Sequence, residues 1–440
     1  MSFPRYQDCR DSGVEWIGAA PSHWTVQPLK RHARLLTEKT DRRDHPVALE
    51  NIESWTGRFV PTETEFEGEG VAFDAGDILF GKLRPYLAKT LVAESSGEAV
   101  GDFLVMRPTA AVKSRFLAYQ LRSREVISIV DGSTFGSKMP RASWDFVGAM
   151  PTPLPPAEEQ TAIVTFLDRE TAKINALVEE QRRLIELLKE KRQAVISQAV
   201  TKGLDPTVPM KHSGVVWLGE VPAHWLVKRM KHLVQESIAG PYGSSLTKSM
   251  YVGSGYRVYG QQQVIPDDFS TGDYYISDTK FVEMSRYQVK ADDVLISVMG
   301  TIGRAAVVPS NVEPGIINPR LVLYRVFERL VSPRYLQAFL NNSTSQRYFS
   351  LAAQGTTMEG LNMVSIGELQ VPLPAFREQA TILEFISNEN EKADALSTST
   401  ERAIALLQER RAALISAAVT GKIDVRNVAL QEAKVEELAR

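Results

Sequence analysis

The sequence predicts an α/β (α+β) protein: two globular mixed domains, two long helices paired as an antiparallel coiled coil, and an internal pseudo-two-fold repeat. Three observations lead there. Trp16, Gly18, Pro21, His23 and Trp24 of "VEWIGAAPSHW" return as Trp217, Gly219, Pro222, His224 and Trp225 of "VVWLGEVPAHW", at an offset of about 201. "PLPPAEEQTAIVTFLD" from Pro153 returns as "PLPAFREQATILEFIS" from Pro372, and the match runs on without a gap to "LKEKRQAVISQAVTKGLD" and "LQERRAALISAAVTGKID", at an offset of about 219. Behind the first of these echoes lies a helical stretch, roughly Glu158 to Thr201, free of Pro and Gly.

The repeat divides the chain in order. Residues 1–24 are an N-terminal segment, 25–152 a first insert and 153–205 a helical segment. Residues 206–225 are a connector repeating the N-terminal segment, 226–371 a second insert, 372–424 a second helical segment and 425–440 a polar tail. The ends of the two units match well and the inserts match poorly. One scaffold carrying two different inserts is the simplest description: the scaffold does one job twice, and the inserts do two related jobs.

Each element has a local reason. The inserts carry β-branched runs bounded by Gly, Pro and Asp ("DILFGKL", "FLVMRP", "DVLISVM", "AAVVP", "RLVLYRV"), which read as strands. Each insert then has one helix-like stretch, "SRFLAYQLRSREVISIV" from Ser114 and "SPRYLQAFLNNSTSQRYF" from Ser332. The helical segments start behind prolines, which suit a first turn. In the first, Ile163, Leu167, Ile174, Leu177, Leu184 and Leu188 recur at alternating three-four steps. In the second, Ile382, Ile386, Leu396, Leu407 and Leu414 keep the same register. These residues are the expected helix seam and partner-docking positions. At 1.5 Å per residue each helix is roughly 65 Å long, and the natural mate of each is the other.

Composition narrows the function. Hydrophobic residues make up 43% and charged residues 24% of the chain, as in a globular protein. The net charge of −2 excludes a wholesale basic surface, so any nucleic-acid binding must use local patches. A single cysteine, Cys9, fits a reducing cytoplasm. No signal peptide is expected at the N-terminus, and no run approaches 18 apolar residues, so neither secretion nor a membrane span is expected.

Catalytic motifs are weak. "GDILFGKL" falls one hydroxyl short of a phosphate-binding loop, because Leu83 stands where magnesium needs Ser or Thr, and Arg84-Pro85 follows where a helix is required. It reads better as a strand and a turn displaying Lys82 and Arg84. "FEGEG" at 66–70 matches a glycine motif of amino-methyltransferases, but the Asn/Asp-Pro-Pro-aromatic partner motif is reduced to "NPRL" at Asn318. His23 and His224 have no second His or Cys at ligand spacing, so a structural role is expected for both.

The inserts do hold what base reading needs. "YGQQQV" clusters Gln261, Gln262 and Gln263, whose amides can pair with adenine edges. "SVMGTIGRAAV" displays Thr301 and Arg304 on a turn between strands. "GSTFGSKMPRASW" offers Lys138 and Arg141, and the aligned "AQGTTMEGLNM" offers Thr357. Arg and Lys reach guanine or phosphate, and Ser, Thr and backbone amides hold phosphates. With Lys82 and Arg84 these are the candidate DNA-facing residues.

The repeated segments resemble the specificity subunit of Type I restriction–modification systems. "SGVEWIGAAPSHW", "PLPPAEEQTAIVTFLDRETAKI", "LIELLKEKRQAVISQAVTKGLD" and "SGVVWLGEVPAHW" carry the resemblance, which extends to about Asp424. It implies a non-catalytic chain whose inserts are target recognition domains, each reading one half of a split sequence in double-stranded DNA. It implies that the paired helices set the spacing between halves and dock two copies of a modification subunit, with restriction subunits as further partners. No cofactor is expected in this chain. S-adenosylmethionine belongs to the modification subunit, ATP and Mg to a restriction subunit. The rival readings are a self-contained methyltransferase or NTPase, and a coiled-coil scaffold that binds proteins only.

Overall fold

The computed structural model describes residues 3–40, 45–62, 69–134, 139–353 and 360–427. They form two compact units, Met1–Arg182 with Glu401–Arg440, and Arg183–Thr400.

The first unit opens with a hairpin of β1 (Cys9–Asp11) and β2 (Ala19–Pro21). Gly18 turns its loop at φ 68°, a conformation open to glycine, and Gly219 repeats it at φ 68°. Then come β3 (Thr25–Pro28), β4 (Ala33–Leu36), β5 (Lys39–Thr40), β6 (Pro46–Val47), β7 (Gly70–Phe73), β8 (Ile78–Gly81), β9 (Thr90–Val92), β10 (Gly97–Val100) and β11 (Phe103–Pro108). Three short helices follow, α1 (Ser114–Leu121), α2 (Arg124–Gly132) and α3 (Trp144–Ala149), then β12 (Pro151–Leu154) and the long α4 (Ala157–Lys202). One sheet has the order β4-β11-β8-β9, antiparallel throughout. A second has the order β5-β7-β10-β6, with β10 and β6 parallel. β12 pairs with β3.

The second unit repeats this plan. A hairpin of β13 (Met210–His212) and β14 (Glu220–Pro222) precedes β15 (Leu226–Arg229), β16 (Val234–Ala239), β17 (Tyr256–Tyr259), the one-turn α5 (Gln261–Val264), β18 (Tyr275–Ile276) and α6 (Asp278–Glu283). Next are β19 (Val294–Ser297), β20 (Ala305–Val307), β21 (Gly315–Ile317), β22 (Leu321–Val326), α7 (Pro333–Asn341), α8 (Ser343–Ala353), α9 (Met363–Glu368), β23 (Gln370–Leu373) and α10 (Phe376–Val419). The main sheet runs β16-β22-β19-β20, the same path as in the first unit, beside a smaller β18-β17-β21 sheet.

The strand run "DILFGKL" is apolar without alternation because its strand is buried on both faces. Ile78 and Phe80 pack with Leu117, Val126 and Val130 of the helices. Leu79, between them, packs with Val47, Phe73 and Val105 on the other side. In β19, Val294 and Ile296 meet Tyr335, Leu336 and Phe339, while Leu295 meets Tyr259, Val264 and Ile317. Truncating Phe80 to Ala empties part of such a core, at a cost of about 3–5 kcal/mol.

Each long helix begins in one unit and ends in the other. The start of α4 packs with the end of α10 in the first unit, where Ile163 and Leu167 share a core with Leu414, Ile415 and Val419. In the second unit the end of α4, Ala199 and Val200, and the start of α10, Ile382 and Ile386, join the core of Trp225 and Tyr335. The helices therefore run antiparallel within each unit.

Two expectations change. The helix-like stretch of each insert is two helices, not one. Ser123 leaves helical geometry at ψ 147° and its hydroxyl donates to Gln120 O; Asn342 leaves it at ψ 159° and its Oδ1 accepts from Thr344 N and Ser345 N at 2.7 and 3.0 Å. Short polar side chains that bond nearby backbone in this way stop one helix and start the next. The seam also drifts. Ile163, Leu167, Ile174, Ile382, Ile386 and Leu414 are buried, and Leu184, Leu188 and Leu407 are half-buried. Leu177 and Leu396 instead face out, 44% and 45% exposed, while Val178 and Thr400 turn inward. A straight helix turns every 3.6 residues, so a strict seven-residue pattern slips off the contact line.

Candidate nucleic-acid interface

The repeated segments clamp each insert to a long helix. Glu159, in the first turn of α4, accepts from Trp24 Nε1 at 3.1 Å, from His23 Nε2 at 2.8 Å and from the Tyr6 hydroxyl. Glu378, in the first turn of α10, accepts from Trp225 Nε1 at 2.9 Å and His224 Nε2 at 3.0 Å. Burial, and then the Glu159 carboxylate, push the Tyr6 hydroxyl far above its usual range, so it stays a donor. The glutamine that follows each glutamate is fully buried and staples the loop before α1 or α7. Gln160 accepts from Lys113 N and donates to Ala111 O and Pro155 O. Gln379 accepts from Ser332 N and donates to Leu330 O and Pro374 O. These bonds are the physical content of the repeated His-Trp pair and of Leu-Pro-x-x-x-Glu-Gln.

The inserts differ in sequence but share a backbone frame. Gly81 N donates to Lys89 O, and Ser297 N to Arg304 O, both at 2.8 Å. Lys82 N donates to Asp102 O at 2.9 Å, and Val298 N to Arg320 O at 3.0 Å. Ala142 N donates to Lys82 O, and Leu361 N to Val298 O, both at 2.9 Å. Leu83 bridges Arg141 as Met299 bridges Gly360. Behind this frame, Arg107 of β11 holds Asp77 and Arg325 of β22 holds Asp293, the same ion pair in each unit. So the end of β8 and the start of β11 correspond to the end of β19 and the start of β22. At that sheet end the side chains differ: Lys82, Lys89, Asp102 and Arg141 in one unit, Val298, Arg304, Arg320 and Gly360 in the other.

Residues 248–404 match the family model described as the Type I restriction modification DNA specificity domain. Across 368 residues the chain is 21% identical to the Type I restriction enzyme MjaVIII specificity subunit of Methanocaldococcus jannaschii, covering 81% of this chain and 78% of that one. It is 20% identical to the EcoKI specificity subunit of Escherichia coli strain K12, covering 92% and 90%. Over most of its length the chain is similar to the specificity subunits of Type I restriction–modification systems. Its fold is that of a chain solved in a study of type I R-M complex assembly and conformational transition, with a TM-score of 0.70, 18% identity and coverage of 92% and 99%. The HsdS subunit from Thermoanaerobacter tengcongensis superposes with a TM-score of 0.52, also at 18% identity, over 92% and 98%.

Within the chain the expected DNA-facing residues separate into three groups. Lys82 and Arg141 come together on Asp102: Lys82 Nζ lies 3.7 Å from Oδ1, and the Arg141 fork donates Nε at 3.0 Å and Nη2 at 3.0 Å. The Asp102 carboxylate raises the already high pKa of Arg141. Arg84 stands two residues beyond Lys82, exposed and left-handed at φ 50°, with its N–H on Pro140 O. In the second unit Gln262 and Thr301 are exposed and Arg304 is half-buried. Gln261 donates its amide to Met299 O and Thr301 O.

Gln263 is a correction. It is fully buried, its Nε2 on Thr271 O and its Oε1 on Gly260 N, both at 2.8 Å. The single turn of α5 points the third glutamine inward, where it holds the loop rather than offering an amide to a base. Lys138 and Thr357 lie outside the described residues. Arg320 is the residue that sequence reasoning missed. It is exposed, and its Nη1 lies 3.5 Å from Gln261 Oε1. In sequence it belongs to "NPRL", weighed there only as a fragment of a catalytic motif. Asn318 of that tetrapeptide instead caps the turn by accepting from Arg320 N at 2.9 Å.

Proposed function

We propose that this chain is a specificity subunit that reads a split, asymmetric target in double-stranded DNA, one half with each unit. The observation that carries the reading is the shared frame at the ends of β8 and β19, which presents unlike polar side chains on like backbone. Identical carpentry with different contents suits two readers of two different half-sites. The near-neutral charge of the inserts leaves part of the electrostatic grip to partner subunits.

Those partners are modification subunits, two per chain, with restriction subunits joining them. S-adenosylmethionine is the modification subunit's cofactor, and ATP and Mg serve the restriction subunit. The outward leucines of the long helices, Leu177 and Leu396 with Leu187 and Leu406, offer the apolar contacts such docking needs. The helices also set the number of base pairs between the half-sites. No described helix is long and apolar enough to cross a membrane, and we place the complex in the cytoplasm.

Single-molecule methylation sequencing tests this reading. DNA from cells with this chain and its modification subunit should carry a split adenine motif that is absent when this chain is deleted. An active modification subunit that shows no chain-dependent motif refutes it.

A further inference from the structure

Both units place an exposed guanidinium with a side-chain partner at the same sheet end, but from different backbone positions. The residue before β11 is Asp102; the residue before β22 is Arg320, held to the same neighbour by the same backbone bond. The residue bridged to the loop after β8 is Arg141; its counterpart after β19 is Gly360. The pair Asp102 and Arg141 in one unit has become Arg320 and Gly360 in the other. Where the arginine comes from the bridged loop, the strand position supplies a carboxylate to hold it. Where the arginine sits on the strand position, the bridged loop has no side chain to compete for the space.

Each guanidinium is also braced. Asp102 accepts both Nε and Nη2 of Arg141, which fixes the plane of the fork and leaves Nη1 free of a bond to that carboxylate. Arg320 has no carboxylate partner among the described residues. Its brace is Gln261 Oε1, and Gln261 is itself anchored through its amide nitrogen to Met299 O and Thr301 O. A planar fork held at a fixed angle is the donor that matches O6 and N7 of guanine. A phosphate contact needs no such brace, since charge alone suffices.

We propose that Arg320 and Arg141 are the specificity-determining residues of the two half-sites, each reading a guanine, with Gln261 and Asp102 as their positioning residues. This rests on the reading that these sheet ends face DNA. Arg320 decides one base of the second unit's half-site, and Arg141 one base of the first unit's half-site.

The test uses the full chain assembled with its modification subunit, assayed on duplexes in which every target position is changed singly to each other base. R320A should lose roughly five- to 150-fold of discrimination at one guanine of one half-site and leave the other half-site unchanged. R141A should do the same in the opposite half. R320K keeps the charge and loses the fork, so it too should relax that base. Q261A should relax the same base more weakly than R320A, and Q261E, which keeps an acceptor but loses the amide nitrogen that anchors it, should relax it too. Should R320A fail to assemble, R320Q carries the same test. If R320K matches the unmodified chain, or if methylation falls equally on all duplexes, Arg320 is a phosphate contact and the proposal is overturned. An unaltered base profile in R320A overturns it as well. Loss of any chain-dependent motif in the unmodified complex refutes instead the reading on which it rests.

Discussion

The indole nitrogen of Trp24 donates to Glu159 across 135 residues of chain, at 3.1 Å. Glu159 is almost wholly buried, its side chain 5% exposed, and it accepts from three donors, whereas Glu378 is 31% exposed and accepts from two. Removing a buried acceptor strands its donors at about 1–3 kcal/mol each. E159A is therefore expected to destabilise the first unit by about 3 kcal/mol or more, and E378A the second unit by less. Urea unfolding of both variants checks the order; equal losses contradict it.

The Asp–Arg pairs behind the sheet ends differ in the same way. Both carboxylates are nearly fully buried and both arginines hold a second acid, Asp74 for Arg107 and Glu236 for Arg325; the difference lies in the arginine, 16% exposed for Arg325 and 39% for Arg107. Burial pulls the Asp293 carboxyl above its usual value, against the pull of Arg325. Breaking a buried pair from one side costs about 3–5 kcal/mol. D293A should lose an amount in that range and D77A less, read from denaturant midpoints.

The three glutamines are expected to part company. Q263A should cost the second unit about 2 kcal/mol, because it empties a buried, doubly bonded amide position, while the methylated motif stays the same. Q262A should leave stability within about 0.5 kcal/mol and alter only that unit's half-site. Methylation sequencing beside thermal melts separates the two; a changed motif in Q263A with normal stability runs against the assignment.

Leu177 and Leu396 face outward, so L177E and L396E should leave the subunit's own unfolding nearly unchanged. Each is expected to weaken capture of the modification subunit. Sedimentation of the mixed subunits measures this. Full-strength assembly in both variants removes these leucines from the docking surface.

The end of α10 is tied down by charge. Asp424 N donates to Pro4 O at 2.8 Å, its carboxylate accepts from Arg426, and Arg426 lies over the Tyr6 ring at 5.0 Å. The Arg426 bond lowers the Asp424 carboxyl below its ordinary 3.8. A depressed carboxyl contributes stability that is present above the unfolded value and lost as pH falls through the folded one. Docking of this end should hold near neutrality and weaken below about pH 4, and D424N should abolish that acid dependence. Hydrogen exchange of residues 417–426 across pH reports it; an unchanged profile in D424N contradicts it.

Much of this was legible in the sequence. The helix starts followed from the prolines before them, the reach of the first from a stretch free of Pro and Gly, and "DILFGKL" was legible as a strand. What escaped was whatever depends on register. Arg320 becomes a counterpart of Asp102 only once β22 is laid against β19, and no linear spacing carries that. Gln263 and Gln262 are the same residue type one step apart, and only the turn of α5 assigns one to the interior. Leu177 lost its seam place to Val178 through a drift of a tenth of a residue per turn, below what a heptad count resolves.

The shared helices also impose an order of assembly on a growing chain. The second unit is complete once residue 400 has been made. The first unit has its strands and the start of α4 by residue 182, yet its core around Trp24, Phe116 and Ile163 waits for Leu414, Ile415 and Val419. At bacterial or eukaryotic synthesis rates that wait lasts about 10 to 45 s. Through that interval the half made first is the half left open, with its apolar face available to chaperones or to a neighbouring nascent chain, and Leu414, Ile415 and Val419, translated after the whole second unit, are the residues that close it.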